Sequence, residues 1–69
     1  MSYLVIIEKA EGNYSAYVPD LPGCVATGKT RAEIRKAIRS AIAMHLEALR
    51  EDGLAIPKPS ASAEIVEVA

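Results

Sequence analysis

Short alternating stretches of apolar and polar residues fill the first third of the chain, and a helical period takes over in the middle. Tyr3 to Glu8 is rich in β-branched residues and reads as a first strand. Glu11-Gly12-Asn13 is turn chemistry, because Gly and Asn tolerate positive φ. Tyr14 to Val18 reads as a second strand, forming a hairpin with the first, and Pro19 ends it by giving the ladder no N–H. Leu21-Pro22-Gly23-Cys24 carries proline and glycine at the central positions of a type II turn, and Cys24 to Thr27 follows as a short third strand. Thr30-Arg31-Ala32-Glu33 has the form of a capping box, in which the threonine hydroxyl and the glutamate side chain satisfy each other's free N–H groups. It predicts a helix to about Asp52, stopped by Gly53. Leu54 to Ser62, with Pro57 and Pro59, is an extended connector, and Glu64 to Val68 reads as a final strand.

The expected plan is a single α+β domain over residues 1–69, β-β-β-α-β in order. A right-handed crossover should set the last strand parallel to the first, completing one mixed four-stranded sheet with a single long helix on one face. On the first strand Leu4 and Ile6 point to one side, and Tyr3, Val5 and Ile7 to the other. Both sides are apolar, yet one helix covers only one of them. The uncovered side must meet a second subunit or a partner, and Tyr3, Val5 and Ile7 are assigned to it.

At about 100° per residue, Ile34, Ile38, Ala41, Ile42, His45 and Leu49 share one helical stripe. His45 within it reads as a neutral core or interface histidine hydrogen-bonded to backbone, since a catalytic role needs a second polar group beside it. Arg31, Arg35 and Arg39 follow at i, i+4, i+8 along the stripe's edge, where like charges repel mildly. They form a solvated edge with stems over the sheet or, as the alternative, a docking ridge for an acidic partner or phosphates.

The chain has 69 residues, a net charge of −1, 51% hydrophobic residues, no Phe or Trp and three Tyr. A domain this small buries only about 60% of the surface its unfolded chain exposes, so it has little stability to spare. Cys24, the one cysteine, excludes an internal disulfide and fits a reducing compartment. The N-terminus has no basic leader, and its apolar run is too short for a signal peptide or a span, so a cytoplasmic protein is expected. The near-neutral balance supplies no general pull toward nucleic acid, and base-stacking platforms are scarce.

Gly23 to Thr30 matches the phosphate-loop pattern G-x-x-x-x-G-K-[ST] in full. It is rejected because its first glycine follows a turn instead of a buried parallel strand. Its middle residues read as strand and cannot curl their N–H groups around a phosphate. One Cys and one His give no metal-ligand spacing, and Cys24 with His45 lacks an orienting third group. Of the acidic residues, Glu8 and Asp20 are the candidate pair, with nothing to bring them together. No catalytic residue, cofactor site or metal site is assigned.

Tyr14-x-x-Tyr17-x-Pro19-Asp20-Leu21-Pro22-Gly23-Cys24, then Gly28-x-Thr30-x-x-Glu33, then the helix and Gly53-x-x-Ile56-Pro57-x-Pro59-Ser60, resembles the HicB family of antitoxins across nearly the whole chain. The resemblance implies a domain similar to a truncated ribonuclease H-like fold without its catalytic carboxylates. It implies a non-enzymatic, oligomeric module that neutralises a small RNA-cleaving HicA-type toxin by covering its active site. Tyr17, Pro19, Asp20, Leu21, Pro22, Gly23, Cys24, Gly28 and Thr30 are its family-motif residues and candidate partner contacts. Lys29 departs from the pattern, standing where the family usually carries an acidic residue. Typical members continue into a DNA-binding segment; only nine residues follow Ser60, so direct operator binding is not expected. The partners implied are a second copy, as homodimer or homotetramer, and a HicA-like toxin. The alternative is a stand-alone homo-oligomeric regulatory or scaffold domain with no toxin partner.

Overall fold

The computed structural model describes all of residues 1–69. Strand β1 spans Ile6–Ala10, β2 Asn13–Tyr17 and β3 Val25–Gly28, and the helix α1 spans Arg31–Glu51. The three strands form one antiparallel sheet in the order β1-β2-β3. β1 and β2 are joined through Gly12, whose φ of +83° glycine adopts without steric cost. Ile7 lies opposite Ala16, and Ala16 opposite Ala26, so one row of small and branched side chains crosses the sheet beneath the helix.

Both ends of α1 satisfy backbone groups that a helix leaves free. Thr30 caps the start in an extended conformation, its Oγ1 accepting from the Glu33 N–H at 3.1 Å. The Glu33 carboxylate accepts at 2.9 Å from the N–H of Lys29, one residue before the cap itself, where a strict capping box would take Thr30. At the far end the Leu54 N–H donates to the Leu49 carbonyl and the Gly53 N–H to the Arg50 carbonyl, with Gly53 at φ +68°. That pair of bonds is a Schellman closure, and it forces the chain out of the helix.

The core consists of Ala16, Val18, Leu21, Cys24, Ile34 and Ile38. Tyr3, Val5, Ile7, Tyr14, Ala26, Ala41, Ile42 and Leu46 pack around it, half-buried. The expected helical stripe is therefore present at Ile34, Ile38, Ala41 and Ile42, with His45 and Leu49 half-buried. Leu46, outside the predicted stripe, packs against the core as well, because the covered arc of the helix is wider than a single stripe.

Two expectations are corrected. First, the sheet has three antiparallel strands and not four mixed ones: residues 64–68 form no strand, and Ile65 is 99% exposed. The expected parallel fourth strand is absent. Before that segment the chain is held elsewhere: the Tyr3 hydroxyl donates to the Pro57 carbonyl, and the Asp20 carboxylate accepts from the Ser60 and Ala61 N–H groups. Ile65-Val66-Glu67-Val68 makes no ladder with the open edge of β1, so its β-propensity, which measures fit to a half-buried pleated surface, goes unused.

Second, Tyr3, Val5 and Ile7 face the helix and pack on the core, so they do not form the uncovered side. That side carries the other alternation: Ile6 lies opposite Tyr17, and Tyr17 opposite Val25, with Tyr17 43% and Val25 64% exposed. No helix is long and apolar enough to cross a membrane.

Truncating a core residue and an exposed tail residue should separate these roles. Ile34→Ala is expected to cost about 2–5 kcal/mol in urea denaturation, as for other buried large-to-small changes. Ile65→Ala should stay within about 0.5 kcal/mol of the parent, as exposed substitutions do.

Candidate functional site

Residues 18–24 form two consecutive turns closed on each other. The Leu21 N–H donates to the Val18 carbonyl at 3.0 Å, and the Cys24 N–H to the Leu21 carbonyl at 3.0 Å. The Val18 N–H then reaches the Cys24 carbonyl at 3.2 Å and closes the loop. Gly23 has φ +84°, as the third position of a type II turn requires. The outcome is a three-residue rhythm in which Val18, Leu21 and Cys24 are buried while Pro19, Pro22 and Gly23 are exposed. Burial pushes the Cys24 thiol above its ordinary pKa. A neutral thiol within the core is a packing residue, not a nucleophile.

Asp20 points out of this loop and holds the chain beyond α1. One carboxylate oxygen accepts from the Ser60 and Ala61 N–H groups, each at 3.0 Å, and the other from the Ser60 hydroxyl at 2.9 Å. These bonds, led by that from the Ala61 N–H, lower the Asp20 pKa. Both oxygens are thereby occupied, which removes Asp20 from the candidate carboxylate pair. The partnership spans 40 residues of sequence, so local pattern could not reveal it; the co-occurrence of Asp20 with Pro59-Ser60 was the only signal.

Gly28 serves close approach and not backbone freedom. A Cβ there would lie 2.8 Å from the Ile34 nitrogen and 3.1 Å from the Glu33 carbonyl carbon. The end of β3 thus touches the first turn of α1, and Thr30 caps that turn two residues later. Gly28 and Thr30 are the joint between sheet and helix. Val25–Gly28 is a strand, so the phosphate-loop match cannot cradle an anion. No group of three or more His, Cys, Asp and Glu side chains is placed to hold a metal ion.

Apart from the exposed residues 64–69, two surfaces remain free for a partner. One is the Ile6–Tyr17–Val25 row on the open side of the sheet, with exposed Pro19 and Pro22 beyond the end of β2. The other is the exposed side of α1, where Arg31, Arg35 and Arg39 all reach solvent. Arg35 and Arg39 also flank a groove whose opposite wall is Met1, Ser2, Tyr3 and Val5. Of the motif residues, Leu21 and Cys24 are thus buried, Gly28 is taken up by close approach, Asp20 and Thr30 are hydrogen-bonded within the chain, and Tyr17, Pro19, Pro22 and Gly23 are presented outward.

Comparison with known proteins shows the family and a related fold. A family described as the HicB_like antitoxin of bacterial toxin-antitoxin system matches residues 3–68. A UPF0150 protein of Thermoplasma acidophilum is 44% identical over 62 residues, covering 88% of this chain and 90% of its own length. An uncharacterized 14.9 kDa protein of Haemophilus phage HP1 is 40% identical over 58 residues, and there the match covers 84% of this chain but 44% of the phage protein. Among solved structures, a HicA3 and HicB3 toxin-antitoxin complex contains a chain of TM-score 0.74 and 37% identity, matched over 87% of this chain and 70% of that one.

Two variants test the assigned roles. Gly28→Ala should destabilise the domain by about 1–3 kcal/mol in chemical denaturation, because neither neighbouring atom is a movable side-chain end. For Asp20 the folded pKa lies below the unfolded value of about 3.9. Its contribution is complete above that unfolded value and is lost as pH falls through the lower folded one. Amide exchange at Ser60 and Ala61 should be slowed from neutral pH to about 4, faster below the folded pKa, and unprotected at every pH in Asp20→Ala.

Proposed function

Since the chain belongs to the HicB-like antitoxin family of bacterial toxin-antitoxin systems, we propose that it is a self-associating module that neutralises a small RNA-cleaving HicA-type toxin by covering its active site. The observation that carries this reading is the likeness to a chain in a toxin-antitoxin complex, at 37% identity over most of the domain. An antitoxin of this kind needs no chemistry of its own, only a surface that docks firmly. The Ile6–Tyr17–Val25 row supports that role: it lies across an antiparallel ladder, with Ile6 half-buried and Tyr17 and Val25 exposed. An aromatic anchor beside aliphatic neighbours is the composition from which interface hot spots are made. The exposed prolines of the 18–24 loop add stiff contacts at its border, since their φ is preset and little entropy is lost on docking.

Co-expression with a HicA-type toxin tests the proposal. The parent protein should relieve toxin-induced growth arrest and co-purify with the toxin. Val25→Glu, which places a charge at the exposed β3 end of the row and leaves the core untouched, should weaken binding at least tenfold, roughly the loss of one hot spot. Unrelieved arrest would sink the antitoxin reading, and full rescue by Val25→Glu would move the docking surface elsewhere.

A further inference from the structure

The outward side of α1 carries two shallow depressions. One is lined by Ala32, Arg35, Lys36 and Arg39, and the other by Ala43, Met44, Glu47, Ala48 and Glu51. All these residues are exposed, Met44 by 72%. The first depression is basic, and the second acidic with an apolar centre. Within one chain this division is unfavourable. Arg31, Arg35 and Arg39 are successive i+4 neighbours of like sign, and so are Glu47 and Glu51.

The two depressions are mates. When a second α1 is laid antiparallel across the first, with Ser40 opposite Ala43, the remaining positions pair without adjustment. Lys36 meets Glu47 of the second copy, Ala32 meets Glu51, Arg35 meets Ala48 and Arg39 meets Met44. Every residue lining the basic depression thus faces a residue lining the acidic one, and two-fold symmetry makes each pairing occur twice. The rows Ala32-Lys36-Ser40-Met44-Ala48 and Arg35-Arg39-Ala43-Glu47-Glu51 run side by side at the i+4 spacing along one face of the helix. Small side chains at Ser40 and Ala43 let the two backbones come close at the centre. The Arg39 stem can lie along Met44, the most exposed large apolar side chain on the helix.

We infer that this face of α1 docks antiparallel on the same face of a second copy, with Lys36 and Glu47 as reciprocal ion pairs. This deepens the self-association proposed above and rests on it. A second copy is the occupant because one partner must supply both complements in this one spacing. The face points away from the sheet, so the dimer leaves the Ile6–Tyr17–Val25 row free for a toxin.

Sedimentation equilibrium on the full chain tests the arrangement, with far-UV circular dichroism as the check on folding. The parent should dimerise, and more weakly as salt rises, because exposed charges are screened. Lys36→Glu alone and Glu47→Lys alone each place like charges opposite one another twice, and each should raise the dimer dissociation constant about tenfold or more. Mixing the two variants should restore association as a heterodimer, and so should the double variant Lys36→Glu/Glu47→Lys on its own. A parent that dimerises while the single variants remain equally dimeric, or are not rescued by mixing, overturns this face and leaves self-association standing. A parent that stays monomeric at millimolar concentration overturns both.

Discussion

The end of β3 lies against the first turn of α1, backbone on backbone, and this contact sets the distances in the rest of the domain. Gly28 makes it feasible, since any Cβ would overlap the Ile34 nitrogen. Thr30 caps the helix two residues later, so there is no slack in the connection. With the helix seated this low, Ile34 and Ile38 reach the layer where Val18, Leu21 and Cys24 arrive from the double turn. Ala16 and Ala26 complete the fit, because larger side chains there would lift the helix off the sheet.

A core of six buried residues leaves little margin in a chain of this length. The domain compensates with hydrogen bonds that tie distant segments together. Asp20 holds Ser60 and Ala61, Tyr3 holds Pro57, and the Schellman closure at Gly53 directs the chain toward both. The longest dimension is 46 Å, against about 32 Å for a helix of this length alone, so not everything is gathered in. Residues 64–69 stay exposed with their apolar side chains in solvent.

The division of labour within the Pro19–Cys24 motif shows how much of a short signature is spent on building the fold. Leu21 and Cys24 fill the core, Asp20 clasps a segment 40 residues away, and Pro22-Gly23 shapes the turn that lets all three point correctly. Only its prolines and glycine face outward. The surfaces open to other molecules lie on either side of it, one on the sheet and one on the helix, which allows two different contacts at once.

Sequence alone determined the elements whose causes are local. The type II turn at Pro22-Gly23, the threonine cap, the glycine stop at Gly53 and most of the apolar stripe of α1 follow from neighbours within four residues, and they are present as expected. The false phosphate loop could also be dismissed locally, since a strand cannot cup an anion. Tertiary structure decided what depends on distant partners. Alternation in β1 separates Tyr3, Val5 and Ile7 from Leu4 and Ile6, but both sets are apolar. Only the position of the helix, set by the β3–α1 contact, shows which set is covered. The same holds for residues 64–68, which form no strand despite their β-propensity and the open edge of β1. Local chemistry chooses a residue's conformation, and the fold chooses its neighbours.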